Sequence, residues 1–214
     1  NGSPLELGGW LKNANSVVEA WYPGMEGGTA VAKILFGALN PSGRLPFTWP
    51  KKLEDVPCKK LAYEDNDVIN FSDSLMVGYR YYDKNNVKPA FAFGYGLSYT
   101  TFSYDEMKVN RLNDKEFEVL VKITNTGKRE GTEVVQLYVA PPQAEDMPVK
   151  ELKGFATLTL QPGESGTVRM LLNERSFAHW DVSANGWKVK PGTYTLHAGS
   201  SSDDLKLEQR LEMK

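Results

Sequence analysis

The sequence predicts a mixed fold, in which an incomplete α/β piece is followed by an antiparallel β-sandwich. Two observations lead to this prediction. Apolar residues recur at helical spacing within residues 24–36, whereas residues 101–214 alternate apolar and polar positions in short runs separated by turn residues. The first region combines one good helix and few strands with many residues of buried type, so it needs a partner to cover its apolar faces.

The first 50 residues predict helical and extended segments joined by turns. The helix over residues 24–36 is followed by Gly37, a residue type typical of a helix C-terminus. A shorter helix is predicted over residues 14–20. The sequence Asn-Pro-Ser-Gly at residues 40–43 indicates a turn, and the alternate prolines of residues 45–50 favour an extended edge segment.

The middle of the chain predicts loops that carry many aromatic residues. Glycine and aromatic residues alternate in residues 78–83 and 91–99, which indicates tight loops packed on a surface, with glycines that allow close backbone approach. Beyond them, period-two patterning predicts about seven strands and no helix of useful length. The clearest strands are residues 117–123, 133–139, 152–160, 167–172, 193–197 and 205–211.

Composition excludes several classes of protein. The chain has 214 residues, of which 41% are hydrophobic and 24% charged, so it is neither disordered nor fibrous. Its 25 Lys and Arg against 27 Asp and Glu lack the basic excess of nucleic-acid-binding proteins. No apolar run approaches the roughly 20 residues of a membrane helix. We therefore expect neither a nucleic-acid nor a membrane partner.

Cysteine and histidine are scarce. Cys58 is the only cysteine, and His179 and His197 are the only histidines. These three residues supply too few ligands for a usual zinc site, and no internal disulfide can form. Without a Gly-x-Ser-x-Gly motif, two structural histidines and an incidental thiol are favoured over a nucleophilic triad.

Carboxylates and glycine-rich stretches are the residues of this sequence that could act as catalytic or phosphate-binding groups. Glycoside hydrolysis needs two carboxyl groups, one ionised and one protonated, but the candidates lie in polar stretches typical of solvated surface. These candidates are Glu64, Asp65, Asp67, Asp73, Asp203 and Asp204. The glycines of residues 24–28 and 94–96 do not complete a phosphate-binding loop, so close packing is the preferred interpretation.

Aromatic residues could stack on sugars, although they more often supply core or interface area. The candidates are Trp10, Trp21, Tyr22, Trp49, Tyr79, Tyr81, Tyr82 and Tyr95. Arg80 lies between tyrosines and is predicted to form a buried ion pair or a stacked contact. We place Trp21, Arg80 and Tyr82 at domain interfaces as a hypothesis.

A set of motifs in a fixed order resembles the C-terminal part of glycoside hydrolase family 3, the β-glucosidase and β-xylosidase family. The motifs are Val18-Glu-Ala-Trp-Tyr-Pro-Gly-Met-Glu-Gly-Gly28, Asn40-Pro-Ser-Gly-Arg-Leu-Pro46, Gly78-Tyr-Arg-Tyr-Tyr-Asp83 and Phe93-Gly-Tyr-Gly-Leu-Ser-Tyr-Thr-Thr-Phe102. Asn125-Thr-Gly127, Gly131–Val139, Glu151-Leu-Lys-Gly-Phe155 and Leu160-Gln-Pro-Gly-Glu164 resemble the family's fibronectin type III-like domain. The resemblance covers essentially the whole chain.

The resemblance implies three parts. Residues 1–60 would be the C-terminal segment of an α/β sandwich domain, residues 61–100 an aromatic-rich connecting segment, and residues 101–214 a fibronectin type III-like β-sandwich. The parent enzyme would cleave β-linked glucose from non-reducing ends with retention. Its nucleophile is an aspartate of a first, barrel-type domain, and its acid/base is usually a glutamate of the second domain. Neither motif occurs in this chain, so the resemblance assigns it no catalytic residue, and no substrate-binding residue is assigned.

The same resemblance implies partners and a location. The chain would act with the N-terminal catalytic part of the enzyme, in the same or a separate polypeptide, without metal or cofactor. Alone it would be inactive and would expose apolar surface. A homodimer is possible, and the family favours a periplasmic or secreted location over a cytoplasmic one.

Alternatives remain at this point. The parent enzyme could be a β-xylosidase. The chain could instead be a stand-alone carbohydrate- or cell-surface-binding module, with Tyr138, Trp187 and Tyr194 as scattered exposed aromatic candidates on the strands. A purely structural role is compatible with the enzyme interpretation and requires no chemistry.

Overall fold

The computed structural model describes residues 2–57, 74–142 and 147–213, and all structural statements below concern these residues. The helices are α1 (Gly27–Leu35), α2 (Tyr79–Lys84) and α3 (Glu174–Phe177). The strands are β1 (Phe102–Arg111), β2 (Phe117–Asn125), β3 (Gly131–Ala140), β4 (Glu151–Leu160), β5 (Ser165–Leu172), β6 (Ala178–Asp181), β7 (Gly186–Val189), β8 (Gly192–Ser201) and β9 (Asp204–Met213).

Among the described residues, the seven strands β1 to β5, β8 and β9 form the predicted β-sandwich. One sheet has the order β1-β2-β5 and the other β4-β3-β8-β9, both antiparallel, while β6 and β7 form a separate hairpin. The period-two faces of the strands meet between the sheets, as alternation predicts. The fully buried core side chains include Phe117, Val119, Val121, Ile123, Val135, Leu137 and Leu196.

Strand β3 is buried on both faces. Its outward-facing residues Gln136 and Tyr138 are 3% and 0% exposed, although the outer face of a sandwich sheet usually meets water. Tyr79 of α2 packs against Tyr138 with ring centroids 5.9 Å apart, and Phe93 packs against Tyr79 at 5.0 Å. The connecting segment therefore covers the centre of this sheet and provides a second core.

The segment over residues 45–49 is extended, as its prolines predict. It runs antiparallel to residues 90–95, with Leu45 N donating to Tyr95 O at 2.9 Å and Trp49 N donating to Phe91 O at 2.8 Å. This two-stranded segment is called the ribbon below. Trp21, Phe47, Trp49, Phe91 and Tyr95 form a row of ring contacts along it, with centroids 5.1 to 6.4 Å apart.

Two helix predictions differ from the structure. Residues 14–20 form no helix, because Val17 and Val18 are β-branched and half exposed, and so short a helix is marginal without packing. Conversely, α2 is a helix where a loop was predicted. Gly78 precedes α2 with φ +58°. Tyr82 is only 4% exposed, so tertiary packing stabilises this short helix.

Candidate functional site

The junction between the described residues up to position 100 and the sandwich contains a buried ion pair. Arg44 Nη2 lies 2.7 Å from Glu133 Oε2, with 9% and 4% of the two side chains exposed. Tyr104 donates its hydroxyl to the other carboxylate oxygen at 2.9 Å. Burial raises the pKa of Glu133, and the charge of Arg44 opposes this rise. Burial and the neighbouring Glu133 also raise the pKa of Tyr104, so it remains a neutral donor.

A second ion pair joins α2 to the sandwich. Lys150 Nζ lies 2.6 Å from Asp83 Oδ2, and the Lys150 side chain is 9% exposed. Burial raises the pKa of Asp83, whereas the hydrogen bond from Lys150 lowers it. Arg80 pairs with Glu151 at 3.2 Å, so an ion pair is confirmed, although it is half-buried rather than buried as predicted. These contacts orient α2 against the edge of the four-stranded sheet.

Asn125 holds three loops together at one buried point. Its Oδ1 accepts hydrogen bonds from Thr100 Oγ1 at 2.7 Å and Gly127 N at 3.0 Å. Its Nδ2 donates to Arg129 O at 2.7 Å and to Leu160 O at 2.9 Å. All four hydrogen-bonding positions of the amide are thus satisfied without water. This is the physical reason for the asparagine of the Asn125-Thr-Gly127 motif.

The C-terminal end of α1 is joined to the sandwich by two further contacts. Arg129 donates to Gly37 O at 3.1 Å, and Asn40 Nδ2 donates to Glu130 O at 2.9 Å. Gly37 has φ +72° and follows Phe36, the C-cap of the helix, so the predicted glycine at the helix end is confirmed. The β2–β3 connection therefore orients the segment over residues 40–43, where the structure assigns no turn, so the turn predicted there is not confirmed.

Glycines of the ribbon permit close backbone approach, as the sequence predicts. Gly94 has φ +81°, and a Cβ there would overlap with Gln136 Oε1; one at Gly96 would overlap with Gly43 O. Gln136 Nε2 donates to Gly94 O at 3.1 Å. These glycines serve packing rather than a phosphate-binding loop.

The carboxylate candidates do not form a catalytic pair in the described part of the chain. Glu64, Asp65, Asp67 and Asp73 lie outside the described residues, as does Cys58. Asp204 pairs with Lys206 at 2.6 Å, and its neighbour Asp203 is exposed. Within residues 2–57, 74–142 and 147–213, no three His, Cys, Asp or Glu side chains cluster to hold a metal. No helix there is long and apolar enough to cross a membrane.

The two histidines lie on different elements. His179 is on β6 of the hairpin, and His197 is on β8, where Glu208 of the neighbouring strand lies 3.9 Å from its Nδ1. Burial lowers the pKa of His197, and Glu208 opposes this change. The two histidines therefore belong to different sheets.

Several aromatic candidates are packing residues. Trp49 is 5% exposed and donates its indole N–H to Leu5 O at 2.7 Å. The interpretation of Tyr138 and Tyr194 as exposed binding aromatics is wrong, because they are 0% and 1% exposed. Trp187 is 51% exposed and packs edge-on against Trp180. Of the three candidates, only Trp187 is exposed, and its ring partner Trp180 lies on the same hairpin. The three residues therefore do not form the stripe of exposed aromatics that a binding module needs.

Residues 17–39 expose a concentration of large apolar side chains, here called the exposed apolar segment. Met25 is 99% exposed, Phe36 89% and Tyr22 84%. The other members are Val17, Val18, Leu35 and Leu39. A concentration of exposed large apolar side chains in one short stretch of chain is typical of an interaction site. The prediction that the chain exposes apolar surface is therefore confirmed.

An α/β segment fixed to a β-sandwich, with its own apolar side uncovered, defines the terminal part of a multidomain protein. Residues 1–99 match the glycosyl hydrolase family 3 C-terminal domain, and residues 133–202 match the fibronectin type III-like domain. The chain belongs to glycoside hydrolase family 3 and is its C-terminal part.

Individual relatives agree with this assignment. The chain is 39% identical over 217 residues to thermostable β-glucosidase B of Acetivibrio thermocellus, covering 100% of this chain and 29% of the relative. It is 38% identical to an exo-α-(1→6)-L-arabinopyranosidase of Bifidobacterium breve, covering 96% and 27%. The crystal structure of a β-glucosidase from Kluyveromyces marxianus matches with a TM-score of 0.93 and 38% identity, covering 99% and 26%. The chain thus spans less than a third of these relatives.

Sequence reasoning missed two ion pairs of the junction, Arg44–Glu133 and Lys150–Asp83. Glu133 shares the period-two face of Val135, Leu137 and Val139, so an acidic residue at a core position was a usable signal for a buried partner. No comparable signal marks Lys150. It lies between predicted strands and is buried because α2 packs against it.

Proposed function

We propose that this chain is the C-terminal part of a retaining β-glucosidase, which releases β-linked glucose from the non-reducing ends of oligosaccharides. The observation that carries this proposal is the similarity of the whole chain to β-glucosidases. Retaining hydrolysis needs two carboxyl groups and no cofactor. In this proposal both groups belong to the N-terminal catalytic part, and this chain supplies structural and domain-packing surfaces.

The exposed apolar segment is the surface on which we expect the N-terminal part to pack. Phe36 and Leu35, at the end of α1, are 89% and 65% exposed. Burying them would stabilise the assembly at about 25 cal/mol per Å² of apolar surface. The hydrogen bonds from Arg129 to Gly37 O and from Asn40 to Glu130 O join the end of this segment to the sandwich.

The activity is tested with the complete enzyme and this chain side by side. We expect the complete enzyme to hydrolyse 4-nitrophenyl β-D-glucoside and this chain alone to be inactive. NMR of the freshly released sugar should show the β-anomer first, which is the sign of retention. Hydrolysis by this chain alone, or an α-anomer first, would contradict the proposal.

The structural role is tested by reconstitution. The N-terminal part is produced separately and mixed with this chain, and we expect recovered glucosidase activity. Phe36→Asp should block recovery because it places a charge in the proposed contact. Leu171→Asp is the matched control, since Leu171 is 57% exposed on β5. Equal recovery with both variants would exclude the exposed apolar segment as the contact.

The arabinopyranosidase relative supports a second candidate substrate, a pentopyranoside. Assays with 4-nitrophenyl α-L-arabinopyranoside and β-D-xyloside beside the glucoside distinguish these activities and test the β-xylosidase alternative. A periplasmic or secreted location and a homodimer are further proposals, tested by cell fractionation and by the mass of the complete enzyme in solution.

A further inference from the structure

Helix α1 has little packing of its own. Of its nine residues only Gly27 is buried, and a helix of this length is marginal in water unless tertiary contacts stabilise it. Leu35, in its last turn, is 65% exposed. Contacts at the ends of α1 therefore have a large share in fixing its direction relative to the rest of the molecule.

Two side chains from outside the helix bond to its C-terminal end. Tyr99 Oη donates to Ile34 O at 2.8 Å, and Arg129 Nη1 donates to Gly37 O at 3.1 Å. Basic side chains at this end of a helix bond to the last carbonyl groups and interact favourably with the helix dipole. These two contacts are called the helix-end hydrogen bonds below.

The two donors are connected to the sandwich and to each other. Tyr99 lies three residues before β1, and Arg129 lies on the β2–β3 connection. The guanidinium carbon of Arg129 is 5.9 Å from the centroid of the Tyr99 ring, within the range of a cation–π contact. Asn40 accepts from Tyr99 N at 2.8 Å and donates to Glu130 O at 2.9 Å. One amide side chain thus joins the backbones of both donor loops.

The helix-end hydrogen bonds flank the exposed apolar pair at the end of α1. Their acceptors, Ile34 and Gly37, lie directly before and after Leu35 and Phe36 in the chain. Phe36 is 89% exposed. Because the backbone on both sides of this pair is bonded to residues next to the sandwich, the sandwich fixes where the two apolar side chains are presented.

We propose that the sandwich orients Leu35 and Phe36 for their contact with the N-terminal part of the enzyme, with Tyr99 and Arg129 as the positioning residues. This inference rests on the proposed function, in which the exposed apolar segment packs against that part. It gives the fibronectin type III-like domain a role in assembly, because the domain directs an apolar helix end toward an apolar surface of the partner.

The test is a double-mutant cycle on the complete enzyme, with the rate of unfolding in urea followed by tryptophan fluorescence. Tyr99→Phe/Arg129→Met removes both helix-end hydrogen bonds, and Phe36→Ala removes the side chain that they position. We expect the first variant to unfold about tenfold faster, the effect of two lost hydrogen bonds. In the Phe36→Ala background the same change should accelerate unfolding less than about threefold.

Lys128→Met is the matched control, because Lys128 is the neighbouring exposed cation on the same connection. It should change the rate less than about twofold. Circular dichroism checks that every variant is folded before urea is added.

Each outcome decides the proposal. A smaller acceleration in the Phe36→Ala background supports it, because the hydrogen bonds then act through the contact of Phe36. Equal acceleration in both backgrounds would show that they act only locally and would overturn it, as would no acceleration or an equal effect of Lys128→Met. If Phe36→Ala alone leaves the rate unchanged, the contact of the exposed apolar segment fails together with this inference. Unfolding is measured without substrate, so the glucosidase activity is judged separately.

Discussion

Arg44 and Glu133 form an ion pair at 2.7 Å although they are 89 positions apart in the chain. Arg44 belongs to the segment that leads into the ribbon, and Glu133 lies on β3 in the centre of the four-stranded sheet. The pair is almost completely removed from water. The two parts of the molecule are therefore joined through a contact that is costly to break.

Arg44→Met is expected to lower the free energy of unfolding by about 2–4 kcal/mol, because it leaves Glu133 buried without its positive partner. Urea unfolding measures this loss. Lys115→Met is the control, since the Lys115–Glu174 pair is exposed to water and should matter little. The double variant Arg44→Met/Glu133→Gln should regain part of the loss. Equal losses for Arg44→Met and Lys115→Met would contradict this account.

Asn125→Ala is expected to destabilise the chain by at least about 2 kcal/mol, because buried groups of Arg129 and Leu160 lose their donor. Thermal unfolding provides the measurement. Asn110→Ala is matched to it, as Asn110 is exposed on β1 and bonds only the Glu118 side chain in the described contacts. A variant at Asn125 as stable as the one at Asn110 would show that the four-bond network is dispensable.

Gly94→Ala should be more destabilising than Gly163→Ala. Both glycines have positive φ, +81° and +76°, so alanine is strained at each by about 1 kcal/mol. Only at Gly94 would the new methyl group overlap with Gln136; Gly163 has open space. The measurement is the denaturant concentration at the midpoint of unfolding, compared between the two variants. If they coincide, the close approach of the ribbon to β3 has no energetic weight.

His197 should titrate below the ordinary histidine pKa of 6.5, since burial lowers its pKa and Glu208 and Lys150 act in opposite directions on it. The unfolded state then binds the proton more tightly. The contribution of His197 to the free energy of unfolding is fully present above pH 6.5. It is lost as the pH falls from 6.5 through the lowered pKa. NMR titration measures the pKa, with His197→Gln assigning the signal. A pKa at or above 6.5 would be incompatible with this environment.

Arg80→Ala in the complete enzyme should lower the melting temperature more than it changes the KM for a β-glucoside. Arg80 pairs with Glu151 and donates to Leu75 O at 3.3 Å, so its contacts join α2 to the sandwich. Lys108→Ala is the control, because Lys108 and its partner Glu106 both lie on β1 and are both exposed to water. A large change in KM at an unchanged melting temperature would place Arg80 at the substrate instead.

The sandwich could be predicted because each strand and turn has a pattern that is visible within a few consecutive residues. Alternation in residues 117–123 and 133–139 specifies which face is buried, and turn residues separate the strands. The hairpin β6–β7 and strand β1 carry weaker alternation and were not individually predicted. The predicted helix over residues 24–36 exceeds α1 by three residues at its N-terminal end, where Gly24 and Glu26 precede the first helical turn, and by one at its C-terminal end.

The amino-acid pattern alone thus established a β-sandwich behind an incomplete α/β segment and, through ordered motifs, its family. Only the tertiary structure decided that α2 is a helix, that Tyr138 is buried, and that Lys150 meets Asp83. The physical reason is that the spacing of apolar residues indicates which face of a helix or strand lies against the core. Burial of the opposite face, or of an ion pair, depends on which distant segment of the chain packs against that element. Asp83 and Lys150 are 67 positions apart, so the sequence around either residue does not indicate its contact with the other.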